Sequence, residues 1–136
     1  MSLKALHTAS ALIELGAGLG FLCTPVLTVT LLAGIPIEGP AALTVTRLGG
    51  AGLTTLGIAC WLARHDADSR ASRGLVAARL FYDVAAAGIL AYAGLGLGLK
   101  GLALWPAVLL HVGMTGWCAA KLRQPGPSPE AGSVSG

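Results

Sequence analysis

From Leu3 to Cys23 the chain runs apolar, with one acid, Glu14, near the middle. Few soluble folds accept such a stretch. A bilayer core of roughly 30 Å needs about 20 apolar residues per helical crossing. Three further apolar runs of that size follow: Ala41–Ala63, Gly74–Leu97 and Leu102–Ala120. Together they consume most of the 136 residues, so no room is left for a separate soluble domain. Charged residues make up 11% of the chain, against about 25% in a typical soluble domain. Twenty glycines, many inside the apolar runs, also suit membrane helices. The expectation is an all-α integral membrane four-helix bundle over 1–123, followed by a disordered tail over 124–136 rich in Pro, Gly and Ser.

The first run follows Lys4 and has the outline of a signal peptide. Glu14 interrupts its centre, and Gly20-Phe21-Leu22 before Cys23 makes a poor cleavage site, so it reads as a retained helix. Thr24-Pro25 then restarts the chain, because proline suits the first position of a helix. The spacing predicts a short helix over Val26–Ala33, closed by Gly34 and too short to span. It is placed along the membrane surface, or as a kinked continuation of the first helix. The segment from Gly34 to Pro40 is a break, and Arg64–Arg73 is the most hydrophilic loop.

Lys and Arg counts orient the spans. Lys4, Arg64, Arg70, Arg73, Lys121 and Arg123 fall on one side and Lys100 on the other. Both termini are therefore expected in the cytoplasm. Trp61 and Trp117 then lie near the cytoplasmic interface and Trp105 near the opposite one, as an aromatic belt would have them.

A charge in the hydrocarbon core costs about 2.5–3.5 kcal/mol or more, so intramembrane ionisable groups should face inward and pair. With a rise of about 1.5 Å per residue, Glu14, Asp83 and His111 come out near one depth. Arg79 lies one turn to the cytoplasmic side of Asp83, and Arg47 reaches in from the outer end. Arg79, Tyr82, Asp83 and Ala86 share a helix face; so do His7, Ser10, Glu14 and Gly18; so do Arg47, Gly50, Ala51 and Thr54. The simplest roles are structural: an Arg79–Asp83 pair within one helix, a Glu14–Arg47 pair between helices, and His111 donating to a carboxylate or carbonyl. The alternative is a buried polar site, formed by Glu14, Arg47, Arg79, Tyr82, Asp83 and His111, that binds a ligand or relays protons. Gly16 and Gly20 form a GxxxG, and Gly49-Gly50-Ala51-Gly52 and Gly113/Trp117 offer other small surfaces for close helix approach, within the chain or toward a second subunit.

Other chemistries lack their signatures. Cys23, Cys60 and Cys118 stand alone, with no CxxC, and are expected to be buried free thiols. No Glu-x-x-His pair, nucleophile elbow or phosphate loop is present. The net charge of +3 sits at span ends rather than on a nucleic-acid-binding patch. No metal, cofactor or nucleic-acid partner is therefore expected; the expected partners are the lipid bilayer and a membrane protein or second copy.

The plan resembles that of small bacterial four-helix inner-membrane proteins, loosely DoxX-like. The likeness rests on Arg47-Leu48-Gly49-Gly50, on Cys60-Trp61-Leu62-Ala63-Arg64 before a charged loop, on Phe81-Tyr82-Asp83, and on Trp105-Pro106 with His111. It covers Ala5 to Arg123 and implies a bacterial inner-membrane location. Three functions compete. The favoured one is a non-enzymatic accessory or assembly subunit. The second is a small transporter or proton relay using Glu14, Asp83 and His111. The third is a membrane enzyme or quinone-type redox protein with a polar pocket under Val26–Ala33.

Overall fold

The computed structural model describes residues 2–66 and 69–124. Asp68 of the hydrophilic loop and the tail from residue 125 onward lie outside the described residues. The described residues form five helices and no strand: α1 Leu3–Cys23, α2 Pro25–Ala33, α3 Pro40–Ala63, α4 Arg70–Leu95 and α5 Leu104–Arg123.

Local chemistry sets these bounds. Ser2 caps α1 by accepting from the Ala5 amide, and Ser69 caps α4 by accepting from the Ser72 amide. The Ser69 cap starts α4 four residues before the expected Gly74, so Arg70 and Arg73 ride on the helix rather than in a loop. Pro25 and Pro40 occupy first helical positions, where a missing amide costs nothing. Gly34 ends α2 at φ 81°, a left-handed value that a side chain would resist. Lys121 and Arg123 sit in the last turn of α5, where cations suit the carbonyl end.

Contacts fix the helix directions. Gly18 of α1 meets Gly50 and Thr54 of α3, whereas Ala11 and Leu15 meet Gly57, so α1 and α3 run antiparallel. Gly94 of α4 meets Leu104 and Trp105, and Arg73 donates to the Leu122 carbonyl, so α4 and α5 also run antiparallel. His7 reaches Ser72 and Glu14 reaches Arg79, so α1 and α4 are parallel. The result is an up-down-up-down arrangement of the four long helices. The backbones of α1 and α3 pack closely, as do those of α4 and α5, while α3 and α4 barely touch.

The chain bends at Thr24, bringing Thr28 of α2 against Gly20 of α1. The Ala103 amide then donates to the Leu31 carbonyl at 2.8 Å, and Gly101 lies against the Leu31 and Leu32 carbonyls, where no side chain would fit. The α4–α5 connection thereby ties α2 across the end of the long helices remote from Ser2 and Gln124.

The distribution of polarity is inverted relative to a soluble protein. His7, Ser10, Glu14, Ser72, Arg79, Asp83 and His111 are buried. Leu48, Leu62, Phe81, Ile89 and Leu109 are each about 70% exposed or more. The apolar core is small: Leu6, Val76, Met114 and Cys118, at the terminal end of the bundle. By length and composition, α1 and α4 are each able to cross a membrane.

Several expectations change. Gly16 has open space around it and Gly20 faces α2, so the GxxxG pair does not make the α1–α3 contact; Gly18, Gly50 and Gly57 do. Cys60 and Cys118 are buried free thiols, but Cys23, at the last residue of α1, is exposed. Trp61 and Trp105 are exposed, with the Arg64 guanidinium 3.7 Å from the Trp61 ring centroid. Trp117 packs against the core with its Nε1 buried.

Candidate functional site

The buried polar groups lie on three helices, and register brings them together. On α1, His7 and Glu14 stand seven residues apart, two helical turns on one face. On α4, Ser72 and Arg79 have the same spacing. Parallel packing makes both pairs at once: His7 Nε2 lies 2.8 Å from Ser72 Oγ, and Arg79 Nη1 lies 2.5 Å from Glu14 Oε1. Arg79 turns its Nε to Asp83, one turn along the same helix, donating to Oδ2 at 3.0 Å. His111 of α5 donates from Nδ1 to the other oxygen, Asp83 Oδ1, at 2.9 Å. The four side chains form one chain, Glu14–Arg79–Asp83–His111, with Glu14, Arg79 and Asp83 each at most 1% exposed.

Tyr82 borders this chain. Its ring stands edge-on to His111, with centroids 5.6 Å apart, and the Arg79 guanidinium is 5.9 Å from its centroid. With His111 as the neutral imidazole, two carboxylates against one guanidinium leave a net charge of −1. Satisfaction is incomplete: Arg79 Nη2 and Ser10 Oγ are buried with no hydrogen-bond partner among the described residues.

Of the six residues singled out in the sequence, five converge: Glu14, Arg79, Tyr82, Asp83 and His111. Arg47 does not. It is exposed, and it makes no ion pair among the described residues. The antiparallel register of α1 and α3 explains this. Gly57 meets Leu15, next to Glu14, and Arg47 is ten residues, or about 15 Å, further along α3. The partner of Glu14 is Arg79. Ser72 was absent from the sequence-based set. The matched seven-residue spacing of His7/Glu14 and Ser72/Arg79 is the signal that points to it.

Above the charged chain is a cavity of about 500 Å³. Glu14, Tyr82 and His111 form its floor. Ala17, Phe21, Leu53, Ala86 and Leu90 are among the apolar walls, and Thr28, Leu31 and Leu32 of α2 close it on the far side. A second cavity of about 290 Å³ shares Phe21, Leu53 and Tyr82 with the first and adds Val29, Thr46 and Gly49. It lies where α3 and α4 separate. The ion-paired side chains hold α1 and α4 apart by their own length, and the space continues beyond them toward α2.

The arrangement does not resemble a catalytic centre. Arg79 and His111 take up Asp83, the one serine set against an imidazole, Ser72 beside His7, lines neither cavity, and no cluster of metal-binding side chains occurs among the described residues. It does resemble a binding site: apolar walls, a few convergent polar groups, and a volume within the roughly 300–1,000 Å³ of ligand pockets. No family model, curated protein or solved structure matches this chain.

Proposed function

We propose that this is an integral membrane protein of four spans, without catalytic activity, that holds a lipid-soluble small molecule in the cavity between its two helix pairs. Burial of every member of the Glu14–Arg79–Asp83–His111 chain beneath apolar outer faces supports the membrane setting. At 24 and 20 residues, α3 and α5 are about 36 and 30 Å long, enough to join α1 and α4 in crossing. The Lys and Arg distribution supports cytoplasmic termini, and the DoxX-like plan supports a bacterial inner membrane, with α2 at the opposite interface. The observation that carries the binding role is the cavity itself, with ionisable groups on the floor and apolar walls elsewhere.

Native mass spectrometry of protein extracted in mild detergent tests this reading. The wild type is expected to carry a bound mass that Ala86→Trp, which fills the cavity without touching the ion pairs, does not carry. Identical spectra for the two contradict it. A proton relay through the same residues is less well supported. An arginine keeps its proton, and Arg79 lies between the two carboxylates, so the chain acts as a lock rather than a wire.

Arg47 favours a second, compatible reading as an accessory subunit. It lies about 10 Å from the start of α3 and is exposed. A membrane partner presenting a carboxylate there would neutralise it. Loss of a co-purifying membrane protein in Arg47→Ala supports that contact; an unchanged set of partners removes it.

A further inference from the structure

We infer that the cavity selects a neutral, hydroxyl-bearing amphiphile, of the long-chain alcohol or acylglycerol class, and excludes ionised fatty acids. This rests on the reading of the cavity as a ligand site, and it follows from which atoms of the floor are already engaged. Glu14 is tied to Arg79 through Oε1, which leaves Oε2 as an acceptor. His111 gives its Nδ1 hydrogen to Asp83, so in the neutral ring Nε2 is also an acceptor. Tyr82 adds a hydroxyl that works either way. Two acceptors and one adaptable group call for a head group that donates.

Charge narrows the class further. An incoming carboxylate would face the Glu14 carboxyl, whose partner Arg79 is already shared with Asp83, across a medium that screens little. A protonated amine would compete with Arg79 for the same carboxylate and would itself have to shed water in an apolar chamber. A hydroxyl avoids both costs. The aliphatic part has a place along Ala17, Phe21, Ala86 and Leu90, where the walls are apolar up to α2.

The entry route follows from the helix packing. α1–α3 and α4–α5 are close pairs whose helices approach one another only sparsely across the middle; between α1 and α4 the ion-paired side chains fill the space, whereas between α3 and α4 lies the second cavity. Phe21, Leu53 and Tyr82 border both spaces. A molecule dissolved in the acyl region reaches the floor sideways, without passing through water.

The test uses the full chain in phosphatidylcholine nanodiscs. The probes are a diazirine-bearing hexadecanol and the matching hexadecanoic acid, the latter at a pH where it is ionised. The alcohol is expected to label peptides of α2 and α4, saturably and in competition with unlabelled hexadecanol. The acid is expected to label the same peptides at least about tenfold less well. In Ala86→Trp the alcohol signal is expected to vanish. Glu14→Gln, provided it remains folded by circular dichroism, is expected to narrow the gap between the probes. Equal, saturable labelling by acid and alcohol that Ala86→Trp abolishes overturns the selectivity and leaves the cavity as a binding site. Labelling that is unsaturable for both probes, or unchanged in Ala86→Trp, overturns the cavity reading and the selectivity with it.

Discussion

α1 presents two seams to its neighbours, built on opposite principles. Toward α3 it shows small residues: a Cβ added at Gly18, Gly50 or Gly57 would run into the neighbouring helix, and the backbones meet almost directly. Toward α4 it shows His7 and Glu14, and the contact is made through side-chain termini. On the proposed membrane setting, no hydrophobic drive would favour one helix contact over another, and close van der Waals packing and polar bonds would remain as the attractive terms. The first seam uses packing and leaves no space. The second uses polar bonds and keeps the helices an arginine's length apart. That separation is why the cavity lies between the two helix pairs and not within either of them.

Substitutions can break this comparison, and the largest effect is expected at Arg79. Arg79→Met leaves two carboxylates buried without their cation; loss of a buried partner costs about 3–5 kcal/mol. Unfolding in micelles is expected to show that loss, and a wild-type midpoint would mean the seam is held otherwise. Gly50→Val attacks the other seam. Its new side chain meets the Gly18 carbonyl and the Leu22 amide, which cannot move aside, and overpacking of this kind costs about 1–3 kcal/mol. The same denaturation series measures it. Ser72→Ala removes the partner of His7 and leaves a buried imidazole nitrogen unpaired, for about 1 kcal/mol or somewhat more. The smallest effect is expected at Gly16, which faces open space: Gly16→Ala should leave stability unchanged or raise it by up to about 1 kcal/mol through helix propensity. If Gly16→Ala proves as damaging as Gly50→Val, the assignment of the glycine seam is wrong.

Much of this was legible in the residues, and the rest was not for definable reasons. Helix ends follow from local signals such as Pro25, Gly34 and Pro40, whereas the Ser69 cap, which starts α4 four residues before the expected Gly74, was not read from the sequence. The Arg79–Asp83 pair follows from i, i+4 spacing within one helix. The partner of Glu14 did not follow, because depth in a membrane says how far along a helix a group lies and nothing about which neighbour it faces. Arg47 and Arg79 both answered the depth criterion; the register of α1 against α3 and α4 separates them. The GxxxG reading of Gly16 and Gly20 did not single out the glycine of the α1–α3 contact: Gly20 meets α2, Gly16 faces open space, and Gly18 lies on the face that meets α3. The cavity had no sequence signature, because it is space left between helices whose separation the longest buried side chain sets.

A double-mutant cycle between Glu14→Gln and Arg79→Gln, read as unfolding free energy in micelles, tests the polar seam most directly. If these two groups bind α1 to α4, each single variant strands a charge and the double variant recovers much of the loss, with a coupling of about 2 kcal/mol or more. Losses that add to within about 0.5 kcal/mol would mean that the pair does not hold the seam, and the account of why the cavity exists would fail with it.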